Sequence, residues 1–324
     1  MVVLSHFPYV AAIILDHGRR WPARQRRAML YHHLMSLNTV VTGANSGIGR
    51  ATAIHLADQG HRVFATVRSF QKADKLMSLA AAKGVTVQLV ELDIADDDSV
   101  ERGFTDILEQ AGHIDVLVNN AGISGNGTVE EAATAAYLDV FNVNVCGAVR
   151  CVKAVMPGMR SRRAGTIINV TSVAGRVASL AQAPYVASKW AFEAISEELA
   201  QEAAAFGIRV AIIEPGVTKT SIFVKSIPNP NETGAYEAHN RRMLQMYAAG
   251  IRNATDPMEV AAVIAHAITT ESPKLRYAMS WGGPEMAAGR AAMTDEEWVA
   301  LGRHELDDDY YDEFAAAFGL DLRR

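Results

Sequence analysis

From residue 37 onward, short β-branched and apolar runs alternate with alanine-rich stretches of helical period. The runs Asn38–Thr42, Arg62–Val67, Val85–Glu91, Asp115–Val118, Thr166–Val170, Arg209–Glu214 and Arg276–Met279 predict seven strands. Most are continuously apolar instead of alternating, which is the pattern of strands covered on both faces. Helices are predicted over 47–59, 70–82, 97–110, 129–159, 184–205 and 256–270. This alternation predicts an α/β fold: a single-domain, doubly wound parallel sheet with helices on both faces. Asp256-Pro257 reads as a helix N-cap followed by proline in the first turn, and Thr294 to Glu297 as a capping box. Residues 217–255 interrupt the pattern with Pro228, Asn229, Pro230, Asn231 and Gly234, and a lid over a site is expected there. Residues 281–324 are expected to form a C-terminal helical extension to a domain spanning 35–280.

Residues 1–34 stand apart. Their apolar run Phe7–Leu15 is too short to span a bilayer, and Arg19, Arg20, Arg24, Arg26 and Arg27 follow it, whereas a secretory signal places its charge first. A dispensable or disordered segment is expected, ahead of a membrane-surface patch, with Met35 as a possible start of the domain. With 49% apolar and 21% charged residues and a net charge of −5, the 324-residue chain has the composition of a soluble globular protein and no basic surface for nucleic acid. Two cysteines, Cys146 and Cys151, cannot build a disulfide framework; both are expected to be buried, in a cytoplasmic protein.

Chemistry enters with Val40-Val-Thr-Gly-Ala-Asn-Ser-Gly-Ile-Gly49, between the first strand and first helix. Gly43 permits a tight turn, Gly47 lets backbone approach a phosphate, and Gly49 allows close helix packing. The helix N-terminus then presents N–H groups and a positive dipole end to an anion. The spacing is Gly-x-x-x-Gly-x-Gly, so its position between strand and helix carries the argument. Dinucleotide sites usually end the second strand on an acid that holds the ribose hydroxyls. Here Val67 stands at that position and Arg68 follows, which favours a 2′-phosphate and hence NADP, with NAD possible.

Tyr185 and Lys189 lie four apart at the start of a helix, on one face. An ammonium beside a phenol is expected to lower its pKa and bring it into range for proton exchange with a substrate oxygen. Ser172 follows a strand in Asn169-Val-Thr-Ser172, so its hydroxyl is expected at the same edge of the sheet.

Taken in order, these motifs resemble the short-chain dehydrogenase/reductase family over about residues 37–280. Its Thr-Gly-x-x-x-Gly-x-Gly matches Thr42–Gly49, with Asn45, Ser46 and Ile48 inside the turn; its Asn-Asn-Ala-Gly matches Asn119-Asn-Ala-Gly122. Asp93 and Ile94 match the adenine contact, Asn144 the helix asparagine, and Ser172, Tyr185 and Lys189 the catalytic residues. Pro215 and Gly216 match the turn after the sixth strand, with Thr218 and Thr220 in positions that contact the carboxamide and pyrophosphate. The resemblance implies a Rossmann fold and hydride transfer between nicotinamide and a small-molecule alcohol or carbonyl. In it Tyr185 is the acid/base, Lys189 its partner and ribose ligand, and Ser172 the group that polarises the substrate. Asn144 is expected either to hold a water that links Lys189 to solvent or to brace the sheet as a satisfied amide. Asn120, Ala121 and Gly122 are expected along the adenosine half of the groove. A homo-oligomer is expected from the family. The strand Val63–Arg68 looks like hydroxysteroid and retinol dehydrogenases and implies a lipophilic substrate. A non-catalytic NADP-binding sensor or scaffold is the alternative. His32 and His33 lack zinc-site spacing; His239, His266 and His304 read as isolated, solvated or packed side chains; Asp96–Asp98 and Asp307–Asp309 read as helix caps. Met243-Leu-Gln-Met246 fits a lipophilic pocket or the buried face of a lid helix equally.

Overall fold

A computed structural model of the chain describes residues 36–222 and 230–324. The expectations for residues 1–34, Met35, His32, His33, Pro228 and Asn229 lie outside the described residues. Seven strands form one sheet: β1 (Asn38–Val41), β2 (Arg62–Val67), β3 (Gln88–Glu91), β4 (Val116–Asn119), β5 (Gly165–Val170), β6 (Ile208–Pro215) and β7 (Arg276–Met279). Their order is β3-β2-β1-β4-β5-β6-β7, and every pairing is parallel. β1 and β4 start the two halves, so the connections leaving them run in opposite directions and open a crevice at their carboxyl ends.

The helices are α1 (Gly47–Asp58), α2 (Asp74–Lys83), α3 (Asp97–Ala111), α4 (Thr134–Phe141), α5 (Ala148–Arg162), α6 (Ala183–Ala204), α7 (Glu237–Arg252), α8 (Pro257–Thr269), α9 (Gly283–Ala292), α10 (Asp295–Leu301) and α11 (Asp307–Phe318). Because successive strand residues point to opposite faces, the apolar strands feed two cores. Val41, Ala65, Val118 and Ile213 pack with Ile54 of α1 and Ile264 of α8. Val40, Phe64, Leu117 and Ile167 pack with Phe104 of α3, Cys151 of α5 and Leu199 of α6.

Several boundaries follow local chemistry. Asp96 caps α3 by accepting from the Ser99 N–H at 2.6 Å. Asp256 with Glu259, and Thr294 with Glu297, form complete capping boxes. β3 is shorter than expected because α2 closes on Gly84 at φ +74° and the Val85 N–H bonds back to Ala80, which takes Val85 out of the ladder. The predicted helix 129–159 begins five residues late, after a turn in which the Ala132 N–H bonds to the Thr128 carbonyl. It also contains a π segment, Asn142–Gly147. The interrupted region 217–255 holds helix α7, the lid helix that was one of the two readings of Met243–Met246. Its inward face includes Arg242, only 1% exposed, so a core position written as a charge hides the helical period. Helices α9–α11 supply the expected extension, which buries Leu301, Tyr311, Phe314 and Phe318 around Met286.

His61, at the start of β2, is 5% exposed and its Nδ1 lies 2.9 Å from the Thr39 hydroxyl. Burial pushes the imidazole down to about 4, against the pull of the Asp115 carboxylate. Between the ordinary histidine value and that lowered one, the unfolded chain holds a proton that the folded chain does not. Stability therefore falls as pH drops through this window, by up to ~3 kcal/mol from this group. Urea unfolding of wild type and His61→Gln should show a stability difference that shrinks or reverses by this amount from pH 7 to pH 4; a pH-independent difference contradicts the assignment.

Candidate active site

The carboxyl ends of the strands open into a cavity of about 450 Å3. On its floor the chain leaves β1 through the glycine turn, where Gly43 and Gly47 take φ of +66° and +53°. A Cβ on Gly43 would also lie 2.8 Å from the Ala121 Cα. Thr42 ties this turn to the loop after β4: its Oγ1 accepts from the Asn120 and Ala121 N–H groups at 2.9 and 3.0 Å. The Asn120 side chain donates back to the Thr42 carbonyl at 2.8 Å. Asn120 is thus a brace beneath the turn as well as part of the wall that Ala121 and Gly122 share. Gly47 makes room for Thr220, whose methyl would lie 2.9 Å from a Cβ there.

This cradle fits the diphosphate of a dinucleotide. Ser46 stands at the N-cap of α1 in extended backbone, yet makes no side-chain capping bond. The first-turn N–H groups of α1 therefore have no side-chain acceptor, at a point where Asn45, Ser46, Gly47 and Ile48 line the cavity. At the end of β2, Val67 is buried and Arg68 is exposed on the cavity wall. Beside it the buried Thr66 hydroxyl lines the cavity with no hydrogen-bond partner among the described residues. After β3, one Asp93 carboxylate oxygen accepts from the Ala95 N–H at 3.0 Å, and Ile94 packs against Gly147.

Ser172 follows β5 in extended backbone. Its Oγ accepts from the Ala174 N–H at 3.1 Å and lies 3.4 Å from the Pro215 carbonyl. Tyr185 and Lys189 lie on the first turns of α6, which Pro184 opens. All three residues line the same cavity as the glycine turn. Lys189 is 5% exposed; its Nζ donates to the Val170 carbonyl at 3.2 Å and sits 5.6 Å from the centre of the Tyr185 ring. Burial lowers the ammonium to about 8, while Glu193 pulls it upward.

The expected lowering of the tyrosine is not what the protein frame produces. Burial raises the Tyr185 phenol above its ordinary value, and a hydrogen bond with Ser172 only partly offsets it. The ammonium stands over the ring, 5.6 Å from its centre, in a cation–π contact that does little for phenolate. Asn144, in the π segment, donates both amide hydrogens, to the Ile123 carbonyl at 2.9 Å and the Ser188 hydroxyl at 3.0 Å, and accepts from the Ile123 N–H at 2.8 Å. Its side chain is therefore a satisfied buried amide that braces α6 against the loop after β4, not the sheet itself.

Around the turn after β6, Thr218 is buried with its hydroxyl 2.9 Å from that of Ser280, and Gly216 approaches the Trp281 carbonyl too closely for any side chain. Sequence reasoning missed two contributors. Tyr247 of α7 lines the cavity and donates to the Asn126 Oδ1 at 3.0 Å; it lies one residue beyond the Met243–Met246 run, and no motif marked it. Behind Lys189, a buried acid cluster joins the strands: Arg276 Nε lies 3.0 Å from Glu193 and 3.1 Å from Glu214, and Thr171 donates to Glu193 at 2.5 Å. Burial raises Glu193 despite these donors. The Glu193 spacing, one turn after Lys189 on the same face, was a usable clue.

Other expectations change. Cys146 is exposed and only Cys151 is buried, because the π segment shifts the register of the helix that carries both. His239 packs edge-on to Tyr236, His266 packs edge-on to Tyr277 and His304 contacts Glu313, in keeping with their reading as packed side chains. Asp307, Asp308 and Asp309 form the acidic first turn of α11, as expected, with Leu306 at the N-cap itself; Asp307 also pairs with Arg241 and Arg242. Met243 and Met246 lie on α7, and Met246 lines the cavity, so helix face and pocket wall are the same surface. Among the described residues no cluster of His, Cys, Asp or Glu suits a metal ion, and no helix is long and apolar enough to cross a membrane.

Comparison with known proteins agrees with this geometry. The family described as short chain dehydrogenase matches residues 38–231. Retinol dehydrogenase 8 of Bos taurus is 35% identical over 249 residues, covering 73% of this chain and 79% of that protein. A short-chain dehydrogenase from Streptomyces avermitilis superposes with a TM-score of 0.71 at 34% identity, over 83% of this chain and 98% of that one. The structure of actinorhodin polyketide ketoreductase with NADPH gives a TM-score of 0.62 at 32% identity, over 72% and 90%. A sheet wound in this order, a glycine cradle and a Ser-Tyr-Lys set in one crevice, with these relatives, make the chain a member of the short-chain dehydrogenase/reductase family and an oxidoreductase of alcohol or carbonyl groups.

Proposed function

We propose that the protein moves a hydride between NADP(H) and an alcohol or carbonyl carbon of a lipophilic substrate, with Tyr185 as the acid/base. One observation carries this reading: Ser172, Tyr185 and Lys189 line a single cavity with the glycine turn at the start of α1. The bound nicotinamide would supply or receive the hydride. Gly43 to Gly49 with Thr220 would hold its diphosphate, and Asp93, Ile94, Ala121 and Gly122 would flank the adenosine. Lys189 would hold the nicotinamide ribose, and the turn from Pro215 to Thr218 would border the carboxamide.

The remaining steps belong to side chains. A phenol held above its ordinary pKa stays protonated at neutral pH, so Tyr185 is set to donate its proton to a carbonyl oxygen. Ser172, in hydrogen-bonding reach of that phenol, would donate to the same oxygen and polarise the carbonyl. The apolar walls contributed by Val173, Met246, Trp281 and Met286 support a lipophilic substrate, as does the likeness to a retinol dehydrogenase.

NADP is favoured by Arg68 on the cavity wall and by the absence of a carboxylate at Val67. The likeness to a ketoreductase solved with NADPH supports the same choice. Arg68→Ala should raise KM for NADPH roughly tenfold or more and leave KM for NADH nearly unchanged. Steady-state kinetics with both cofactors decides this, and equal effects on the two would remove the argument.

Tyr185→Phe should keep the fold and the affinity for NADPH while lowering turnover by roughly a hundredfold or more. Circular dichroism, cofactor titration and NADPH oxidation over a panel of ketones and aldehydes read these separately. Turnover retained by the variant would place the proton donor elsewhere. A wild-type chain that binds NADPH but oxidises it with no carbonyl would instead favour a sensor or scaffold.

A further inference from the structure

Beside the catalytic cavity lies a second one, of about 190 Å3, closed by the C-terminal helices. Ser179, Met246 and Met286 belong to the walls of both, so the two spaces adjoin. The second is apolar, with Leu180, Met243, Trp298, Leu301 and Phe314 around it. Arg242 is the exception, and this guanidinium is only 1% exposed.

Two of its nitrogens have clear duties. Nε donates to Asp307 at 2.8 Å, and Nη2 reaches the carbonyls of His304, Leu306 and Glu305 at 2.8, 3.3 and 3.5 Å, which docks the start of α11 onto α7. Its plane lies against Tyr310, 4.7 Å from the ring centre. Nη1 has no acceptor among the described residues. The charge is also incompletely matched, because the single Asp307 carboxylate serves Arg241 as well, at 2.5 Å. A pin for α11 needs Nε and Nη2 alone. A guanidinium N–H on the wall of an apolar chamber finds its strongest acceptor in a carboxylate oxygen, with which it forms a charge-assisted hydrogen bond.

We propose that this chamber receives the far end of the substrate and that Arg242 binds a carboxylate there. Resting on the reading above, this names the substrate class: an elongated apolar ketone or aldehyde with a carboxylate at the end remote from the carbonyl. Reduction would place hydride on the carbonyl carbon and a proton on its oxygen, oxidising NADPH and leaving the carboxylate unchanged. The apolar chain would lie past Met246 and Met286, and the carboxylate would meet Nη1.

The test uses the full chain saturated with NADP and two probes of equal length, octanoate and octanamide. Calorimetry should give octanoate roughly tenfold or greater preference over octanamide. Arg242→Met should abolish that preference and Arg242→Lys should restore part of it. In turnover, the ratio of kcat/KM for 9-oxodecanoate to that for decan-2-one should favour the oxo acid in wild type and fall about tenfold or more in Arg242→Met. Should Arg242→Met fail to fold, the wild-type comparison still decides. Octanoate bound no better than octanamide overturns the proposal. Decan-2-one reduced at least as well as the oxo acid overturns it while leaving the oxidoreductase intact. Octanoate held through Arg242 with neither ketone reduced would keep the anion site and remove the proposed function.

Discussion

Lys189 carries its ammonium into a part of the protein that water scarcely reaches, and much of the site is arranged around that fact. The group is held by the Val170 carbonyl at the end of β5 and by the faces of Tyr185 and Phe192. Glu193, one helical turn further, supplies the opposing charge and is itself fixed by Thr171 and Arg276. Burying a charge without such partners costs several kcal/mol or drives off its proton, so the surrounding acid and carbonyl are what keep the lysine usable. Its position on α6 in turn fixes Tyr185, one turn earlier. The acid cluster therefore acts as the foundation of the site, joining β6, β7 and α6 below the residues that face the cavity.

The sheet performs the other half of the assembly. Seven parallel strands deliver their carboxyl ends to one edge, so residues far apart in sequence arrive together: Gly43 after β1, Gly122 after β4, Ser172 after β5 and Pro215 at the end of β6. Thr42 shows how closely the edge is tied, with one hydroxyl bonded to two N–H groups across the crevice. The phosphate cradle is thus held before any ligand enters, which lowers the ordering cost of binding. Helix α7 and the C-terminal helices then cover the substrate side of this edge with methionine and aromatic side chains.

Most of the fold could be read from the sequence because its signals are local. Continuous apolar runs mark strands covered on both faces, and Asp96, Asp256 and Thr294 name the starts of their helices. The order of Gly43, Asn119, Ser172, Tyr185 and Lys189 likewise marks one crevice once a parallel sheet is assumed. What stayed hidden depends on long-range packing. The extent of helix α7, offered only as one reading of Met243–Met246, was concealed because Arg242 fills an interior position, a choice that makes sense beside Asp307, 65 residues away. The direction of the Tyr185 shift was misjudged because spacing shows that Lys189 is near but not how far the fold desolvates the phenol. The pairing of Asn144 with Ile123 and Ser188 depends on a π segment that no periodicity announces.

The central claim is that a carbonyl held by Tyr185 and Ser172 would receive a hydride directly from a nicotinamide bound between Lys189 and the turn from Pro215 to Thr218. Incubation with NADPH deuterated at the transferring position of C4, together with an aliphatic ketone, tests it through mass spectrometry of the alcohol. The account predicts one deuterium on the carbinol carbon of the product; alcohol formed without that label would contradict it.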